Sequence, residues 1–147
     1  MTPSPTLTQA LRRASRRLST AQDRALRPSG LSSAQAAVLA GLSRHGTAAQ
    51  GVLAAELGLD RTSMCAALRR LGARGLVAGA ACGGDRRVRQ VSLTAQGRAV
   101  LEEAEAALAA LDARLASCLG DGPHYHLRQQ LDWIASADFA ARLEAAG

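Results

Sequence analysis

The stretch AAQGVLAAELGLDRTSMCAALRRLGAR, residues 48–74, decides the fold. An alanine- and leucine-rich run from Ala48 to Leu57 favours a short helix. Gly58-Leu59 interrupts it, because glycine readily takes the left-handed turn that ends a helix, and Asp60 is a good N-cap for a second helix reaching about Arg74. Two helices joined across a three-residue turn containing Gly have helix-turn-helix spacing. In the second helix Met64, Ala67, Leu68 and Leu71 share one face. Arg61, Thr62, Cys65, Arg69 and Arg70 lie largely outside it, and that outward face has no carboxylate. Thr62 and Ser63 stand in the first turn, where short hydroxyls reach base edges or phosphates, flanked by arginines whose planar forks suit phosphate and guanine.

Working upstream, residues 6–27 predict a first helix. Leu7, Leu11, Ala14, Leu18, Ala21 and Ala25 recur at alternating four and three spacing, a seam for another helix, and Pro28-Ser29-Gly30 ends it. Ser32 with Gln35 forms a capping box for a helix through Arg44 that carries Val38, Leu39 and Leu42. Downstream, residues 76–81 face residues 88–94 across Cys82-Gly83-Gly84-Asp85-Arg86-Arg87, a β-hairpin with a glycine-rich basic tip. Thr94 can cap a long helix in which Leu101, Ala104, Leu108, Leu111, Leu115 and Cys118 form a second seam, with Glu102, Glu103, Glu105 and Asp112 off it. Gly120-Asp121-Gly122-Pro123 breaks this helix, and a last one over about residues 124–143 carries Leu127, Leu131, Ile134 and Phe139.

These elements predict a mainly α chain with a small β-wing, organised as one domain over residues 1–147. Its 147 residues hold only three aromatic side chains, and the composition favours helix over sheet. All eighteen basic residues are Arg. Residues 1–98 hold fifteen of them against four carboxylates, whereas residues 99–147 hold three against eight. A basic front and an acidic rear imply a polyanionic partner for one part only. No run approaches the roughly 18 apolar residues of a membrane span and the N-terminus lacks a secretory pattern, so no membrane partner and a cytoplasmic location are expected. Three cysteines without paired spacing argue for reduced thiols.

With that order of elements in hand, a resemblance becomes specific. Gly84-Asp85-Arg86-Arg87-Val88-Arg89-Gln90-Val91-Ser92-Leu93-Thr94-Ala95-Gln96-Gly97-Arg98 resembles the wing signature of the multiple-antibiotic-resistance regulator (MarR) family, in which Asp-x-Arg precedes Val-x-Leu-Thr and Gly-Arg. Residues 31–46, 50–58 and 71–77 resemble further family stretches in the expected order. The resemblance implies a sequence-specific regulator of double-stranded DNA, a ligand- or stress-responsive repressor acting as a homodimer on a pseudopalindromic operator. Residues 31–94 would be the winged helix-turn-helix lobe, and residues 6–27 and 95–144 the dimerisation helices. Leu7, Leu11, Leu18, Leu108, Leu111, Leu115, Leu127 and Leu131 would then meet a second copy. Arg87 would reach the minor groove, Asp85 would brace the wing, and Arg86 and Arg89 would contact phosphates. Members commonly respond to a small-molecule effector, whose identity is left open; no cofactor is implied. Where members often have Thr then Arg midway along the recognition helix, this chain has Cys65 and Ala66.

No nucleophile–base pair or flanking acids appear, and the Gly83-Gly84 tip lacks the Lys and helix of a phosphate loop, so no catalysis is expected. Cys118, His124 and His126 read as a core cysteine and surface histidines rather than a metal site, since their spacing crosses a Gly-Pro break. His45 reads as a helix-end carbonyl cap and Trp133 as a core or interface anchor, each also a weak ligand-pocket candidate. A winged helix used only for protein contacts is the alternative function, distinguished by the absence of salt-sensitive duplex binding. An alternative mechanism is thiol-based sensing through Cys65, which Arg61 and Arg69 flank at four residues on either side, against the plainer reading of a partly buried filler.

Overall fold

The computed structural model describes residues 6–79 and 90–145. Helix α1 spans Leu7–Leu26 and runs into a 3₁₀ turn at Arg27–Ser29; α2 spans Ser33–His45. Strand β1 (Thr47–Ala49) leads into α3 (Gln50–Leu57) and α4 (Arg61–Ala73), followed by β2 (Val77–Ala78) and β3 (Gln90–Leu93). Helices α5 (Ala95–Leu119), α6 (Asp121–Ile134) and α7 (Ala137–Ala145) complete the chain. The described residues form two compact units that divide between Leu108 and Ala109. No described helix is long and apolar enough to cross a membrane.

The first unit is built on one apolar cluster. Val38, Leu39 and Leu42 of α2, Leu53 of α3, and Met64, Ala67, Leu68 and Leu71 of α4 are buried together with Leu26, Leu76, Val77, Val91, Leu101 and Ala104. The four α4 residues are those whose spacing placed them on one face. Local signals set the helix ends. Capping boxes at Thr6/Gln9 and Ser32/Gln35 satisfy first-turn N–H groups of α1 and α2. Gly58, at φ +62°, closes α3: its N–H reaches the Ala54 and Ala55 carbonyls, and Leu59 N–H donates to the Ala54 carbonyl at 2.9 Å. At the start of α4, Asp60 accepts from the Ser63 backbone N–H at 2.7 Å and the Ser63 hydroxyl at 3.1 Å. These hydrogen bonds hold the Asp60 carboxyl below the usual carboxylate range.

Two expectations need correction. Ala48 and Ala49 do not begin α3. They lie in β1, which pairs antiparallel with β3 (Ala48 opposite Val91), so the sheet has three strands in the order β1-β3-β2. Burial of Ala48 against the core and the ladder to β3 override the helix propensity of alanine. The C-terminal helix is also two: α6 starts at Asp121, directly after Gly120, and ends at Ile134, while Ser136 accepts from the Phe139 N–H at 3.2 Å at the start of α7. Pro123 breaks nothing, because it falls in the first turn of α6, where its missing N–H has no helical partner to lose.

Thr94 joins the strands to α5. Its hydroxyl donates to the Gly75 carbonyl at 2.7 Å and accepts from the Gly97 N–H at 3.0 Å, while its own N–H donates to the Leu76 carbonyl at 3.1 Å. The same approach explains Gly97: a Cβ there would run into the Leu76 carbonyl oxygen.

In the second unit, α6 and α7 bury no residue. Trp133 and Phe139 pack edge to face at 4.7 Å, joining the two helices across their turn.

Two outcomes follow from the backbone contacts. Gly97→Ala should destabilise the fold by about 1–3 kcal/mol through overpacking, whereas Gly72→Ala, where a Cβ meets nothing within 4 Å, should be neutral or slightly stabilising; urea unfolding of both checks the contrast. Asp60→Ala should lower Tm at neutral pH. Because the folded pKa is depressed, the cap's contribution is full above the ordinary carboxylate range and is lost as pH falls through the folded value, so wild type and variant should converge in acid thermal scans.

Candidate nucleic-acid interface

Packing fixes which side of α4 faces solvent. The helix rests against α2, α3 and β2 through its apolar stripe, and Arg61, Thr62, Ser63, Arg69 and Arg70 are all exposed. Two carboxylates lie near these arginines in sequence, and both are engaged elsewhere. Asp60 caps α4. Glu56 is clamped by Arg44 Nη2 at 2.7 Å and His45 Nε2 at 2.6 Å, and the Arg44 hydrogen bond, then that from His45, holds its carboxyl below the usual range. Arg61, Arg69 and Arg70 consequently form no ion pair with any described residue, and their charge is presented to solvent along one helix face. The Ser63 hydroxyl is less available than its first-turn position suggests, since it donates to Asp60.

Cys65 is half-buried rather than fully on the outward face. It lines a cavity of about 270 Å³ with Gln50, Gly51, Ala54, Arg61 and Met64. Gln50 Nε2 is buried there without a hydrogen-bond partner among the described residues. Asp85, Arg86, Arg87 and Arg89, expected on the wing, lie outside the described residues, as does Cys82.

Of the leucines expected at a helix–helix seam, Leu7, Leu18, Leu127 and Leu131 are exposed and Leu11 and Leu115 half-buried. Leu108 packs on the core of the first unit, and Leu111 is buried. His45 does not act as a carbonyl cap but pairs with Glu56. Cys118 is exposed, not core, because it falls on the solvent side of the last turn of α5; His124 is half-buried and His126 exposed. Among the described residues no group of three or more His, Cys, Asp or Glu side chains is arranged to hold a metal. Trp133 is 45% exposed and its ring partner is Phe139.

Sequence reasoning missed Arg74, which fastens the end of α4 to the turn before α2. Its Nη1 donates to the Gly30 carbonyl and its Nη2 to that of Ser29, each at 2.8 Å. The partners are backbone groups 44 and 45 residues away, so no local pattern marks this arginine as structural. The Arg44–Glu56 clamp is likewise a 12-residue separation across two helices.

The arrangement is shared with known proteins. Residues 29–88 match the profile of the MarR family. The transcriptional regulator MosR of M. tuberculosis, solved in complex with DNA, is 36% identical, aligned over 94% of this chain and 99% of its own, with a TM-score of 0.74. The transcriptional repressor CouR bound to a 23-mer DNA duplex is 32% identical over 89% of this chain and 93% of its own, TM-score 0.81. CouR bound to p-coumaroyl-CoA gives 31%, 90%, 93% and 0.80. No curated protein matches the chain. With 36% identity sustained across 94% of its residues, the chain belongs to the MarR family of winged-helix transcriptional regulators and is not an enzyme.

Proposed function

We propose that the chain is a cytoplasmic repressor that binds a pseudopalindromic duplex as a homodimer and releases it in response to a small-molecule effector. The observation that carries this is the exposed α4 face, where Thr62 lies among Arg61, Arg69 and Arg70, none of which forms an ion pair with a described residue. Such a face binds phosphates by counterion release and reads guanine edges through bidentate arginine. The DNA complexes of MosR and CouR support the same use of the fold here. In this reading residues 31–94 are the DNA-binding lobe. Thr62 and Ser63 sit at base edges or phosphates, Arg87 enters the minor groove, Arg86 and Arg89 meet phosphates, and Asp85 braces the wing.

Residues 6–27 and 95–144 supply the dimer contact. Leu7 is 72% exposed and Leu127 and Leu131 are each above 40%, an amount of bare leucine on helical seams that a second copy would cover. The CouR complex with p-coumaroyl-CoA supports an effector of small-molecule type.

The cavity beside Cys65 favours a second mechanism, in which oxidation of its thiol alters duplex binding. The thiol would lose its proton and be oxidised by peroxide to sulfenic acid, with water as the other product. If Cys65→Ser loses duplex binding after dilute peroxide as fully as wild type, the thiol plays no such part.

Three measurements test the main reading. Duplex from the DNA upstream of the chain's own gene should bind with nanomolar-range affinity that weakens steeply with salt; a protein that binds no such fragment at low salt is instead a protein-contact module. Arg69→Ala should weaken duplex binding by about 1–3 kcal/mol with Tm unchanged, since the exposed guanidinium makes no intramolecular ion pair with a described residue. Light scattering should report a dimer at micromolar concentration, and a stable monomer there would contradict the assigned seams.

A further inference from the structure

A cleft of about 670 Å³ lies where the end of α1, the start of α2 and the end of α4 meet. Its charged lining is Arg27, Arg70, Arg74 and Asp23. Asp23 is committed: its Oδ1 accepts from the Ser33 backbone N–H at 3.0 Å. Arg74 is held by two backbone carbonyls, and neutral partners locate a guanidinium without cancelling its charge. Arg27 and Arg70 are exposed and form no ion pair with any described residue. Three guanidinium groups against one carboxylate leave two positive charges, the complement of a phosphate dianion. The N-terminus of α2, capped by Ser32 in the cleft wall, adds positive potential of the same sign.

We propose that this cleft binds a small phosphate-bearing molecule, and that the molecule draws Arg70 away from duplex DNA. The site itself stands on the cleft; its consequence rests on the DNA-binding reading above. Planar guanidinium forks supplied to one cleft by separate elements suit phosphate oxygens. The volume is within the range of small-molecule sites. Since Arg27 closes α1 and Arg70 belongs to α4, a phosphate between them ties the recognition helix to the first helix and occupies a guanidinium that the duplex needs.

The test uses the full chain with inorganic pyrophosphate as probe. Isothermal titration at low ionic strength should show one site per chain, weakened roughly tenfold or more in Arg27→Gln, the loss of a charge-assisted contact. Asp23→Asn should bind more tightly, because the amide oxygen still accepts from Ser33 while the competing charge is gone. In anisotropy measurements with labelled duplex, pyrophosphate should weaken wild-type binding beyond sodium chloride of equal ionic strength. Arg27→Gln should bind duplex within about twofold of wild type and no longer respond to pyrophosphate. The proposal is overturned if pyrophosphate does not bind, or if a folded Arg27→Gln protein, checked by circular dichroism, binds it unchanged. It is also overturned if Arg27→Gln without ligand loses duplex affinity as much as pyrophosphate affinity, which gives the cleft to the DNA backbone. A wild type that binds pyrophosphate at this site but binds no duplex supports the site and sinks the DNA-binding reading alone.

Discussion

Burial of the Met64, Ala67, Leu68 and Leu71 stripe of α4 is the constraint on which the rest of this structure depends. Each of these side chains is nearly or fully removed from solvent, and burying one Met or Leu contributes about 1.5–3 kcal/mol. A helix has one rotation that places four such residues inward. Turning α4 by one position would carry Cys65 and Arg69 toward Leu39, Leu42 and Leu53 and expose Met64 and Leu68, exchanging apolar burial for an unpaired buried charge. The outward presentation of Arg61, Arg69 and Arg70 is therefore a consequence of core packing. Asp60 and the Gly58 turn set where the helix starts, and Arg74 sets where its far end is fastened.

The arginines of this chain divide by partner rather than by type. Arg74 spends its hydrogen bonds on carbonyls and Arg44 spends its charge on Glu56; both hold elements together. Those on the open face of α4 have no such obligation among the described residues. The carboxylates follow the same economy, for Asp60, Glu56 and Asp23 are each taken up by a cap, a clamp or a backbone N–H. Asp60, Glu56 and Asp23 are held by these contacts and pair with none of Arg61, Arg69 and Arg70, so the open face of α4 keeps a positive potential, which is the field a polyanion follows.

How much could be read beforehand depended on the range of the interaction responsible. The helix-turn-helix, the Ser32/Gln35 capping box, the Thr94 cap and the inward face of α4 were legible because each is carried by residues within a turn or two of one another, where periodicity and cap chemistry leave a mark in sequence. Sequence by itself also determined the charge asymmetry and the exposed leucine seam of α1. Tertiary structure alone decided that Ala48 and Ala49 extend a sheet, since their ladder partners Val91 and Gln90 lie more than 40 residues away. It decided as well that His45 and Arg44 share Glu56, that Arg74 is structural, that Cys65 is half covered, and that Arg27, Arg70 and Arg74 line one cleft. In every one of those cases the partner is brought up by packing of the apolar core, and a contact made by folding at a distance leaves no spacing in the chain to announce it.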